Sequence, residues 1–152
     1  MKIIVKNNKV LFNYDVLDKY EAGIVLKGWE VKSVKAGQIN IKDGYVKSAK
    51  NEVWLHNIHI PRWRTQSRYE KIDTFRKRKL LLKKFQIHKL IQKSQIQGLS
   101  IVPIQVYISD NNKIKIEIAI VKGRKKYDKR QKLKEKDQLR QIDIELKEMD
   151  RI

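Results

Sequence analysis

The segment VPIQVYI, residues 102–108, decides the fold. Val102, Ile104, Val106 and Ile108 alternate with Pro103, Gln105 and Tyr107, the period of a strand that buries one face. After the turn-prone DNNK (110–113) the alternation resumes, with Ile114, Ile116, Ile118 and Ile120 set against Lys115, Glu117, Ala119 and Val121. Two such runs around a short polar loop predict an antiparallel hairpin with one buried face. Upstream, YEAGIVLKG (20–28) supplies Ala22, Ile24 and Leu26 to one side. INIKDGYVKSAKNEVWLHNIHI (39–60) reads as two or three strands turning at Lys50-Asn51. The phase slips at Asn57, where Val53 and Leu55 give way to Ile58 and Ile60, so a bulge or bend is expected there.

Two helices punctuate these strands. KGWEVKSVKAG (27–37) has Gly28 before and Gly37 after Val31 and Val34. KLLLKKFQIHKLIQKSQIQG (79–98) carries Leu82, Phe85, Ile87, Leu90 and Ile91 at mixed spacings of three and four, with Gly98 as its C-terminal cap. Short strands with an inserted helix predict a mainly β fold, a closed antiparallel Greek-key barrel of the oligonucleotide-binding kind. Such a fold does not settle function by itself.

Charge narrows the partners. The chain holds 36 Lys plus Arg against 17 Asp plus Glu, a net charge of +19 over 152 residues, which favours a polyanion. The excess is densest in VKGRKKYDKRQKLKEK (121–136), where nine cations face only Asp128 and Glu135. Beyond it Leu139, Ile142, Leu146 and Met149 fall at helical spacing among charged residues. That narrow stripe predicts a tail disordered alone and helical against a partner. The division is therefore a barrel over 1–121 and a basic tail over 122–152. The chain has no cysteine, hence no disulfide framework and no thiolate metal site. No apolar run reaches the ~18 residues of a membrane span, and MKIIVKNNK turns polar too early for a signal peptide. A cytoplasmic protein is the expectation.

His56 and His59 in HNIH lie three apart, which on a strand points them to opposite faces, so no metal site is expected. Glu21, Glu30 and Asp43 announce no paired-acid chemistry. A membrane-surface role for the tail is disfavoured because its stripe lacks Trp and Phe. What remains is a nucleic-acid-binding protein without catalysis or cofactor.

In order and near-spacing, YEAGIVLKGWEVKSVKAGQINIKDGYV (20–46), RKLLL (78–82), IVPIQVYI (101–108), KIKIEIAIVKG (113–123) and KKYDKR (125–130) resemble the tmRNA-binding small protein B, or SsrA-binding, family of bacterial trans-translation. The resemblance implies a six-stranded barrel with two or three flanking helices, a monomer when free. It also implies binding of the transfer-RNA-like domain of tmRNA, and a tail that enters the empty mRNA channel of a stalled ribosome. By resemblance Glu21, Leu81 and Lys115 face tmRNA with Tyr14 nearby, and Lys122, Gly123, Arg124 and Lys125 meet RNA at the junction. Tyr127, Asp128, Lys129 and Arg130, with Lys134 beyond, match the decoding-centre segment. Glu21 is the odd member among these, because an acid beside phosphates must accept from a base amino group or order a neighbouring cation. The chain departs from the family in Leu11-Phe12 before Asn13-Tyr14, in DTFR (73–76), and in the basic aromatic loop 61–72 with Arg62, Trp63, Arg64 and Arg68. The alternative is a generic ribosomal or barrel-fold RNA-binding protein.

Overall fold

The computed structural model describes residues 1–63 and 71–123. The elements are β1 (Lys2–Lys6), α1 (Asn8–Asn13), β2 (Tyr14–Ile24), α2 (Gly28–Lys35), β3 (Tyr45–Ala49), β4 (Glu52–His56), β5 (Arg78–Leu81), α3 (Lys84–Ser94), β6 (Leu99–Ile108) and β7 (Ile114–Gly123). All seven strands join one antiparallel sheet in the order β1-β6-β7-β2-β5-β4-β3.

The expected hairpin is β6–β7, paired from Leu99↔Lys122 to Ile108↔Ile114. Its burial differs from the expectation. The register slips between Pro103 and Gln105, leaving Ile104 as an extra residue, and this bulge reverses which side chains face inward. Val102 and Ile104 turn to a small cluster with Val10, Ala119 and Val121, whereas Val106, Ile116, Ile118 and Ile120 enter the main core. The hairpin is thus buried on both faces, because α1, which the sequence reading did not anticipate, delivers Val10 to the second one.

Asn7 holds the bulge. It is buried, its N–H donates to the Ile104 carbonyl at 2.8 Å, and its Nδ2 reaches the carbonyls of Pro103 (3.2 Å), Ile41 (3.2 Å) and Lys42 (3.3 Å). Its Oδ1 accepts from the Val10 N–H, capping α1. Asn7→Ala strands these buried carbonyls and the cap together, so we expect a loss of about 2–4 kcal/mol in urea denaturation. A variant as stable as the parent would show that the bulge needs no such pin.

Other turns follow the sequence reading. Lys50 and Asn51 both take positive φ (52° and 61°) between paired Ala49 and Glu52. Asn57 bends the chain after β4 with φ 60°. The leucine run corrects the reading, because Arg78–Leu81 is a strand and the helix begins only at Lys84. The reason is pairing on both sides: β5 lies between β2 and β4, with Leu80 inward and Leu81 outward. Phe85, placed on the buried helix stripe from its spacing, is 66% exposed.

The closed six-stranded barrel is also corrected. Among the described residues the sheet has seven strands and two free edges, β1 and β3. β6 pairs with β1 along Gln105–Ile108, and a cleft of about 600 Å³ lined by Tyr45, Lys47, Ser94, Leu99 and Ser100 lies between its other end and β3. No ladder bridges that cleft among the described residues.

α2 is fixed to the sheet through Glu30, whose side chain is fully buried. Glu30 accepts from the Lys27 N–H (2.7 Å), from Arg76, and from Arg78 Nε at 2.6 Å. Arg78, also fully buried, donates further to the carbonyls of Ile58 (2.7 Å) and Thr74 (3.0 Å). Burial alone would push the Glu30 carboxyl up, but the donors from Arg76, the Lys27 amide and Arg78 outweigh it and hold it below its ordinary value.

Candidate nucleic-acid interface

β2 lies between β7 and β5, so outward-facing residues of three sequence-distant strands become neighbours. Ala22 faces the core, which turns Glu21 and Gly23 outward. Gly23 pairs with Leu81, and a Cβ on Gly23 would stand 3.3 Å from the Leu81 Cβ, so the bare backbone makes room for an apolar side chain that is 53% exposed. Glu21, Gly23, Leu81, Lys83, Gln86 and Lys115 line a groove of about 500 Å³. A second depression of about 390 Å³ shares Gly23, Leu81 and Lys115 and adds Lys35, Asn112 and Lys113. Among the described residues none of Lys35, Lys83, Lys113 and Lys115 has a carboxylate partner.

Glu21 does have a partner. The hydroxyl of Tyr107, a residue otherwise buried, donates to its Oε2, and Tyr107 stands directly opposite Lys115 in the β6–β7 register. Burial first, then the hydrogen bond to Glu21 and the charges of Glu21 and Glu117, pushes the Tyr107 hydroxyl above its ordinary value, so it remains a donor at neutral pH. One carboxylate oxygen is thereby committed to the protein, and the other has no hydrogen-bond donor among the described residues. Nearby, Gln105 Nε2 donates to Glu117 at 3.3 Å and Lys19 stands 3.9 Å from the same carboxylate.

Glu21, Leu81 and Lys115 therefore share one groove. Tyr14 does not line it: it opens β2 and packs against the small Val10 cluster. Lys122 is exposed opposite Leu99, and Gly123 ends β7. Arg124, Lys125, Tyr127, Asp128, Lys129, Arg130 and Lys134 lie outside the described residues, as do Arg64, Arg68 and the Leu139–Met149 stripe. Lys83, Gln86 and Tyr107 were not singled out from the sequence. Tyr107 had a signal there, since it occupies the polar phase of VPIQVYI, across the hairpin from Lys115.

The two histidines diverge. His56 stacks on Tyr45 and His59 lies against Phe75, with ring centroids 4.6 Å apart. Among the described residues no three His, Cys, Asp or Glu side chains could hold a metal, and no helix is long and apolar enough to cross a membrane.

Comparison with known proteins gives the same direction. The family described as SmpB protein matches residues 4–148. An SsrA-binding protein of Geobacillus thermodenitrificans is 42% identical over 151 residues, covering 99% of this chain and 96% of its own length. One from Sulfurihydrogenibium is 46% identical over 146 residues, 96% of this chain and 95% of its own. A solved chain from "tmRNA-SmpB: a journey to the center of the bacterial ribosome" superposes with a TM-score of 0.68 at 33% identity, over 83% of this chain and 87% of that one. A family match along nearly the whole sequence, with relatives above 40% identity at almost full coverage, means that the chain belongs to the SmpB family of SsrA-binding proteins.

Proposed function

We propose that the protein binds the transfer-RNA-like domain of tmRNA and brings it to stalled ribosomes, where trans-translation tags the incomplete polypeptide. The observation that carries this is the convergence of Glu21, Leu81 and Lys115, from three strands, in one groove bordered by lysines that have no carboxylate partner among the described residues. A folded RNA presents phosphates and unstacked bases together. Lys83 and Lys115 suit the phosphates, Leu81 offers an apolar surface to a base or ribose, and the free oxygen of Glu21 can accept from a base amino group. Residues 1–121 act as the RNA-binding unit of a cytoplasmic monomer, and 122–152 as the ribosome-engaging tail. In that tail Lys122, Gly123, Arg124 and Lys125 meet RNA at the junction. Tyr127, Asp128, Lys129, Arg130 and Lys134 approach the decoding centre as the segment becomes helical in the vacant mRNA channel. The protein works by binding, and no catalytic step is assigned to it.

A mobility-shift titration of tmRNA against ordinary transfer RNA at several salt concentrations tests this reading. Preference for tmRNA should persist at high salt, while equal binding that salt erases would leave a generic RNA-binding polycation. Glu21→Ala should weaken tmRNA binding roughly tenfold, the scale of one good base contact, although it makes the protein more positive. Tyr107→Phe should weaken it in the same direction by freeing the carboxylate to reorient. Unchanged or tighter binding in both variants would remove Glu21 from the interface.

A further inference from the structure

The outer face of β3, β4 and β5 carries an array that the groove does not use. Tyr45 stacks on His56 with ring centroids 5.3 Å apart and planes 5° from parallel, and Lys47 Nζ lies 5.3 Å from the Tyr45 centroid. One row along, Trp54 stands between Lys47 and Lys79 in the ladder, and Lys77 Nζ sits 4.7 Å over its ring. The single acid of the array, Glu52, is paired with Lys79 at 3.2 Å. Val46, Val53, Leu55 and Leu80 fill the inward positions of the same strands, so the sheet holds these rings and lysines facing away from the core. Burial, then the charges of Lys47 and Lys77, lowers the His56 pKa and favours a neutral, stackable ring.

We propose that this face is a second RNA-contacting surface, which takes unpaired nucleotides by stacking bases on Tyr45 and Trp54 while Lys47 and Lys77 meet the flanking phosphates. Rings interleaved with cations on a strand face are the chemistry of single-stranded nucleic acid, and the complementary charge commits the occupant to a polyanion that carries planar bases. The surface adjoins the groove on the same outward face, since Lys79 and Leu81 are alternate residues of β5, but its rings are displaced from it: Tyr45 on β3 and Glu21 on β2 are three ladder steps apart, about 14 Å along the sheet. The inference goes beyond the tmRNA reading and survives without it.

The test uses the full chain and a fluorescent hexauridylate RNA, measured by anisotropy in high salt so that charge-only binding by the basic C-terminal segment is suppressed. A Tyr45→Thr, Trp54→Thr double variant should lose hexamer affinity at least tenfold, about one lost stack, and bind the isolated transfer-RNA-like domain within twofold of the parent. Glu21→Ala should show the converse, and its failure to do so would count against the groove reading alone. Tyr45→Phe should keep hexamer binding. Unchanged hexamer affinity in the double variant, equal losses for both RNAs, or polyphosphate binding as tightly as hexamer at equal charge would each overturn the proposal. Photo-crosslinking of a 4-thiouridine hexamer to the parent protein decides the matter even if the double variant fails to fold: adducts at Tyr45 or Trp54 support the surface, and adducts only elsewhere refute it.

Discussion

Glu30→Gln is expected to destabilise the protein by about 3–5 kcal/mol, because it leaves buried Arg78 without its counter-charge in a site that has excluded water. Arg76 loses its counter-charge in the same change and keeps its hydrogen bonds to the Lys77 and Val25 carbonyls. Chemical denaturation at pH 7 reads the loss directly, and adding Arg78→Leu to Glu30→Gln should recover part of it by removing the stranded cation. The pH dependence has a fixed sign. The folded-state carboxyl is held below its ordinary value near 4.5, so its contribution is complete above that value and disappears as pH falls through the folded one. The gap between parent and variant should therefore be widest near neutrality and close in acid. Denaturation curves that overlay at pH 7 would show that the ion triad contributes only geometry.

Replacing Asp128, Lys129 and Arg130 together by Ala should abolish tagging on stalled ribosomes while binding of the transfer-RNA-like domain stays near parental. On the proposed division of labour, a stacked or hydrogen-bonded contact in the decoding centre cannot be replaced by charge elsewhere, whereas the groove lies wholly within Glu21–Lys115. Tyr127→Ala should cost about 1–3 kcal/mol of ribosome engagement if the ring stacks on a base, and Tyr127→Phe should be mild. Lys134→Ala should weaken engagement slightly and flatten its salt dependence. A tail of scrambled order that tags as well as the native one would reduce the segment to unspecific charge.

Period-two alternation exposed the β6–β7 hairpin, its slip exposed the bend at Asn57, and turn-prone residues exposed Lys50-Asn51, because those signals are local. The bulge at Ile104 was hidden, since no glycine marks it and the residue that pins it, Asn7, lies almost a hundred positions away. The leucine run misled because a short apolar stretch suits a strand or a helix equally, and pairing with β2 and β4 decides between them. β1 and α1 were missed for another reason: β1 is placed by its pairing with β6, and α1 buries Val10 against the β6–β7 hairpin. Glu30 passed as an unremarkable acid until Arg76 and Arg78 folded onto it. Of the site, Glu21, Leu81 and Lys115 were named only through resemblance. Charge and periodicity could not reveal that they share a groove, because their proximity depends on the strand order.

The groove also sets a schedule for the molecule's own birth. Its walls come from Glu21, Leu81 and Lys115, and Tyr107, which orients Glu21, is contributed only when the last hairpin forms. A nascent chain that has emerged as far as α3 owns two walls and no working site. On the proposed reading, RNA recognition switches on late in synthesis, once β7 has slotted beside β2, and pairings of such long sequence separation are slow to find. An RNA that enters afterwards clasps three strands at once and delays their separation, so the cargo would act as the final fastener on the protein that carries it.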